Sequence, residues 1–86
     1  MTMQILYFAN LRETLGKSSE TLDLTSTDIK TVADLIAHQR ARGEDYSIAF
    51  ENTLMLRVAV NQVHAQPEHP VSDTDEVAFF PPVTGG

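Results

Sequence analysis

Val77-Ala78-Phe79-Phe80-Pro81-Pro82-Val83-Thr84-Gly85-Gly86 sets the frame for the rest of the chain. Its first four residues suit an extended strand, with Val77 and Phe79 on one face and Ala78 and Phe80 on the other. Pro81 and Pro82 have no N–H to donate, so they stop the ladder and bias the backbone toward polyproline II. Val83 to Gly86 hold nothing that would anchor them in a core. The expectation is a rigid domain over residues 1–80 and a flexible tail over residues 81–86. Six residues in that conformation reach roughly 18–20 Å.

A Gly-Gly end has no Cβ on either residue, so backbone and carboxylate can pass through a channel too narrow for other residues. The carbonyl carbon is also open to attack from both sides. Ordering glycine costs conformational entropy, so a purely structural terminus gains nothing from the pair. Frayed ends are the common fate of termini. The strand and the proline pair directly in front favour presentation of the Gly86 carboxylate instead.

Working outward, 86 residues bound a single domain, and 42% apolar content is that of a globular chain. Six basic and twelve acidic side chains leave a net charge of −6, which repels a phosphate backbone and makes nucleic acid an unsuitable partner. No apolar run has the length of a membrane span and no signal-peptide pattern opens the chain, so a cytoplasmic location is expected. The sequence has no cysteine, which removes disulfides, thiolate metal sites and thiol nucleophiles together. If the protein handles sulfur, the sulfur rides on something else.

Met3 to Ala9 reads as a strand with apolar residues on both faces, which suits a central, doubly covered position. Asn10 to Ser18 is the expected connection, turning at Gly16. Thr21 to Leu24 follows as an edge strand, antiparallel to the first, with Leu22 and Leu24 inward. Thr31 and Asp34 make a capping-box-like start for a helix whose buried stripe is Val32, Leu35 and Ile36. Gln39 breaks that stripe and is expected at the rim. Arg40 and Arg42 suit the last turn, and Gly43 a left-handed cap. Gly43 to Asn52 is expected as loop, with one helical turn around Tyr46 to Phe50.

Leu54 to Val60 is a third long strand, and Asn61-Gln62 turns the chain into a short one at Val63 to Ala65. Ser72 to Asp75 turns it into the last strand. One helix and four to five strands make an α+β domain, with the first and last strands parallel neighbours in a mixed sheet. That is the β-grasp, or ubiquitin-like, arrangement.

Other candidate sites are weaker. Gly16-Lys17-Ser18 resembles the end of a phosphate-binding loop, but Leu11 stands where the first glycine belongs and a strand follows. His38, His64 and His69 show no ligand spacing and read as solvated, and Asp73, Asp75 and Glu76 read as a turn; no metal site is expected. On a strand buried on one face only one of Phe79 and Phe80 reaches the core. Phe80 is expected outside, forming with the prolines and Val83 an apolar contact patch.

Leu6-Tyr7-Phe8-Ala9-Asn10-Leu11-Arg12-Glu13, Thr31-Val32-Ala33-Asp34-Leu35, Val58-Ala59-Val60-Asn61-Gln62 and the run from Asp73 to Gly86 together resemble the molybdopterin synthase small, sulfur-carrying (MoaD-type) subunits. The resemblance spans most of the chain and is most specific at its end. It implies that an activating enzyme related to ubiquitin E1 proteins consumes ATP and magnesium to adenylate the Gly86 carboxylate. A sulfur donor then displaces AMP and leaves a thiocarboxylate. The carrier next docks on a large synthase subunit, in a heterotetramer, and gives sulfur to a cyclic pyranopterin monophosphate to build the molybdopterin dithiolene.

On that scheme Gly86 is the reacting residue, and Gly85, Thr84, Val83, Pro82, Pro81, Phe80 and Arg12 contact partners. This chain binds no cofactor itself, and the remaining catalytic groups belong to the large subunit. Thr74, Gln39 and His64 depart from the family pattern: a turn glycine, an apolar helix residue and an apolar residue near the partner surface. Three other readings compete. One is a sulfur carrier for thiamin thiazole synthesis, usually shorter and without the Phe-Phe-Pro-Pro-Val approach. The second is a ubiquitin-like modifier that joins Gly86 to a lysine, and the third a passive binding module.

Overall fold

In the computed structural model, which describes residues 2–51 and 56–81, the sheet is built around β5 (Glu76–Phe80). Its neighbours are β1 (Met3–Tyr7), running parallel, and β3 (Arg57–Val60), running antiparallel. β2 (Ser19–Leu22) extends the sheet from β1, and β4 (Val63–His64) from β3. The order is β2-β1-β5-β3-β4. With helices packed on one face, this is the expected α+β, β-grasp fold.

The core-facing residues alternate as a half-buried sheet requires: Met3, Ile5 and Tyr7 from β1, Val77 and Phe79 from β5, Val58 and Val60 from β3. Against them pack Leu11, Val32, Leu35 and Phe50. Phe79 stacks on Tyr7 with ring centres 6.3 Å apart and meets Phe50 edge-on at 5.0 Å. The opposite face carries Leu6, Ala59, Ala78 and Phe80, all short of full burial. The expected double cover of the first strand is therefore wrong: its second face is open.

Among the described residues three helices replace the expected one. The first strand ends at Tyr7, and α1 (Ala9–Leu15) occupies what reads as a connection. Gly16 takes φ 72° and returns its N–H to the Arg12 carbonyl at 2.9 Å, a left-handed helix stop. β1 and β2 pair antiparallel as expected, joined by this helix rather than by a simple turn.

α2 (Val32–Arg40) starts as the sequence indicates. The Thr31 hydroxyl accepts from the Asp34 N–H, and the Asp34 carboxylate accepts from the Lys30 and Thr31 N–H groups. Those bonds hold the Asp34 carboxyl below its ordinary pKa. The remaining first-turn donors, Val32 and Ala33, reach the His69 and Pro67 carbonyls at 2.9 and 2.8 Å. The proline-rich stretch thus caps the helix, which accounts for its irregular path.

The far end of α2 differs from expectation. The helix stops at Arg40, Ala41 is its cap, and Arg42 lies beyond it. Gly43, at φ 146°, opens α3 (Glu44–Ala49) instead of closing α2. That third helix fills most of the expected loop and leads Phe50 into the core. β3 begins at Arg57, and residues 54 and 55 of the longer expected strand lie outside the described residues.

Asn61 and Gln62 both have positive φ, as a type I′ hairpin turn requires, and β4 ends at His64. The Ser72–Asp75 turn is closed by the Asp75 N–H on the Ser72 carbonyl at 3.1 Å, with φ negative at Thr74. A glycine-dependent turn type is therefore not used there.

Candidate functional site

β5 holds its place because Val77 and Phe79 are fully buried and both its edges are paired. Alternation then puts Phe80 on the open face, half-buried, where it was expected. Its ring meets the His64 imidazole edge-on, with centres 5.7 Å apart at 75°. Phe8, 47% exposed, leaves β1 at the same end and donates its N–H to the Phe79 carbonyl at 3.2 Å. The registers Leu6↔Ala78, Ala78↔Ala59 and Ala59↔His64 set a row across this face, beside Phe8 and Phe80. The row is small or apolar apart from His64.

Parallel pairing of β1 and β5 means that their C-terminal ends coincide. α1 therefore starts, and Pro81 leaves, from one end of the sheet. Arg12 lies exposed on α1. The structure thus gathers Phe80, Pro81 and the helix carrying Arg12 at one end of the domain. Pro82, Val83, Thr84, Gly85 and Gly86, which include the reacting group of the sequence reading, lie outside the described residues.

Among the described residues no group of three His, Cys, Asp or Glu side chains could hold a metal ion, and no helix is long and apolar enough to cross a membrane. His38 sits on α2, and His69 places Nδ1 2.8 Å from the Pro70 carbonyl oxygen. An open groove of ≈ 370 Å³ runs between α2 and the β3–β4 edge, with Val32, Ile36, Val58 and His64 among its walls. It brings together no nucleophile, base and orienting group of the kind acyl or phosphoryl transfer needs.

The concentrated electrostatics lie elsewhere, where β2 meets the helices. Glu20, side chain 13% exposed, accepts two bonds from Arg42, each 2.9 Å, one from the Tyr46 hydroxyl at 2.9 Å, and one from the buried Tyr7 hydroxyl. Gln39, fully buried, donates to the Tyr7 oxygen and accepts from Arg42 at 2.9 Å. The Arg42 guanidinium lies 4.2 Å from the Tyr46 ring centre, and Lys17 donates to the Tyr46 hydroxyl at 3.0 Å. Burial alone would raise the Glu20 pKa, but the bonds from Arg42, Tyr7 and Tyr46 outweigh it and hold the carboxyl at about 2. Burial and the neighbouring carboxylate push the Tyr7 phenol up.

Sequence reading missed this cluster, and Gln39 is not at the rim. Every buried polar side chain among the described residues has a partner. A fully satisfied network on the helix-covered side of the sheet is a clamp joining β1, β2, α2 and α3.

The comparisons agree with this geometry. Residues 5–86 match the ThiS family. A curated relative, the molybdopterin synthase sulfur carrier subunit of Escherichia coli, is 40% identical over 84 residues, covering 98% of this chain and 99% of its own length. The protein of the same name from Haemophilus influenzae is 37% identical over 84 residues, with the same coverage. Among solved structures, SAMP1 (small archaeal modifier protein 1) from Haloferax volcanii superposes with a TM-score of 0.73 at 26% identity, covering all of both chains. A matching fold, near-complete coverage and this level of identity lead to one conclusion: the chain belongs to the ThiS family and, within it, to the molybdopterin synthase sulfur carrier subunits.

Proposed function

We propose that this sulfur carrier subunit works by holding sulfur as a thiocarboxylate on Gly86. A carboxylate is a poor electrophile. Attack of a Gly86 carboxylate oxygen on the α-phosphorus of ATP expels pyrophosphate and gives an acyl adenylate, in the active site of an E1-like enzyme that supplies magnesium. A donor at the oxidation level of sulfide then attacks the carbonyl carbon and AMP leaves. The tail next enters the large subunit of molybdopterin synthase. There the sulfur bonds to a carbon of a cyclic pyranopterin monophosphate in exchange for an oxygen substituent. Water then cleaves the acyl C–S bond, restoring the Gly86 carboxylate and leaving the sulfur on the pterin. Two such deliveries make the dithiolene.

The observation that carries this reading is the way β5 runs into the tail. Phe79 is locked in the core while Phe80 and Pro81 come out together at the end of the sheet, ahead of Val83-Thr84-Gly85-Gly86. A rigid anchor followed by a narrow leader suits delivery of one carbonyl carbon into another protein's site. The absence of cysteine fits a carrier whose sulfur travels on the backbone. The general acids, bases and pterin contacts then come from the large subunit, since the described residues bring no such set together. Phe80, Pro81 and the open face beside them, with Arg12 at its end, form the docking surface.

Reconstitution tests this. With activating enzyme, ATP, magnesium, a sulfide source, large subunit and pyranopterin, the intact chain is expected to yield molybdopterin, and a chain lacking Gly86 none. Equal product from the shortened chain overturns the proposal.

The likeness to SAMP1 favours a second reading, in which activated Gly86 is also joined to lysine amines. Conjugates whose acceptor lysine carries residues 58–86 after tryptic digestion, the last tryptic site before Gly86 being Arg57, would support it.

A further inference from the structure

The one ionisable side chain in the row across the open face is His64, and it touches the residue from which the tail departs. It is exposed, sits opposite Ala59 in the register, and lies edge-on to Phe80 at 5.7 Å. Leu6, Ala59 and Ala78 complete that row, and Phe8 and Arg57 stand with Phe80 at the end of the face. A partner that draws Gly86 into its own active site comes down on Phe80, and a partner covering Phe80 desolvates the His64 ring as well.

We infer that His64 is a specificity-determining residue for docking, and that it enters the complex as the neutral imidazole. The inference rests on the docking role proposed above and deepens it. The occupant is the large subunit of molybdopterin synthase.

Imidazole is the side chain that ordinarily changes charge between about pH 5 and 8. Removing an imidazolium from water beside Phe80 is costly unless a carboxylate receives it. Among the described residues the charged groups around His64 offer no such help, and α2 presents Val32 and Ile36 across the groove that His64 lines. β3 contributes Arg57, which is paired in register with Phe80 and carries the same sign. On β5 the only carboxylate is Glu76, at the opposite end of the strand, and β4 carries none. Glu68 and His69 follow on the exposed loop after β4. Docking therefore expels the proton, and affinity falls as the imidazole charges.

The test is the Kd between the whole chain and the large synthase subunit, measured by calorimetry at about pH 8 and about pH 5.5. Wild type, His64→Gln, His64→Leu and, as a control at a remote histidine, His38→Gln are compared. Titrations on the partner shift all four alike, so the readout is the ratio of each variant to wild type. Wild type and H38Q are expected to weaken about tenfold more than H64Q and H64L over that interval, with H64L at least as tight as wild type at the higher pH. Equal pH slopes in wild type and H64Q overturn the inference while leaving the docking role intact. A wild-type complex that tightens on acidification, with the effect lost in H64Q, also overturns it, since His64 would then dock charged. No binding by any of the four at about pH 8 overturns the docking role itself, and the inference with it.

Discussion

Gln39 stands where the buried stripe of α2 calls for an apolar side chain, and its amide is fully buried all the same. Apolar periodicity places it at a rim because periodicity registers burial and not satisfaction. The Tyr7 hydroxyl, 32 residues away, and Arg42 supply the partners that make burial affordable. No local pattern announces Glu20 either, which reads as one polar residue near an edge strand. A prediction follows from its depressed pKa. The Glu20 carboxyl falls from an ordinary 4.5 to about 2 on folding, so its contribution is fully present above 4.5 and is lost as pH falls toward 2. The gap corresponds to about 3 kcal/mol at neutral pH. Glu20→Gln is expected to cost about 2–3 kcal/mol in urea unfolding at pH 7, because Arg42 loses its carboxylate. The cost shrinks as pH falls below about 4.5 and approaches zero near pH 2. An unchanged stability difference across that range contradicts the assignment.

Elements were legible where the local code is strong. Thr31 and Asp34 mark the start of α2, and both halves of the box are formed. Thr31→Ala removes the acceptor of the Asp34 N–H, and about 1 kcal/mol of stability is expected to go with it in the same urea assay. Asn61-Gln62 marks the β3–β4 turn, and the alternation of Val77 to Phe80 assigns Phe79 to the core. α1 escaped because its cap, Phe8, makes no side-chain bond and Ala9 enters the helix at φ 54°, a conformation alanine disfavours. Leu11 and Leu15, four apart ahead of Gly16, were the available signal. Gly43 was ambiguous in principle: a glycine after a helix also precedes whatever comes next, and here it opens α3.

For the whole molecule, strand order and the parallel β1–β5 pairing follow from the order of elements, since a single mixed sheet with a helical face accommodates few alternatives. The open second face was not legible, because apolar residues at Leu6 and Phe8 look alike whether a helix or a partner covers them. The division at residue 80 into domain and tail remains the proposal under which the architecture has a purpose: everything before Pro81 holds one end of the sheet rigid, and everything after it is reach. The central claim is that Gly86 takes up sulfur. Intact mass after incubation with an E1-like activating enzyme, ATP, magnesium and a sulfur donor tests it most directly, beside a chain lacking Gly86. A gain equal to replacing one oxygen by sulfur, confined to the full chain, is the expected result. No gain, with an activating enzyme proven on another carrier, contradicts the account and leaves the tail a binding peptide.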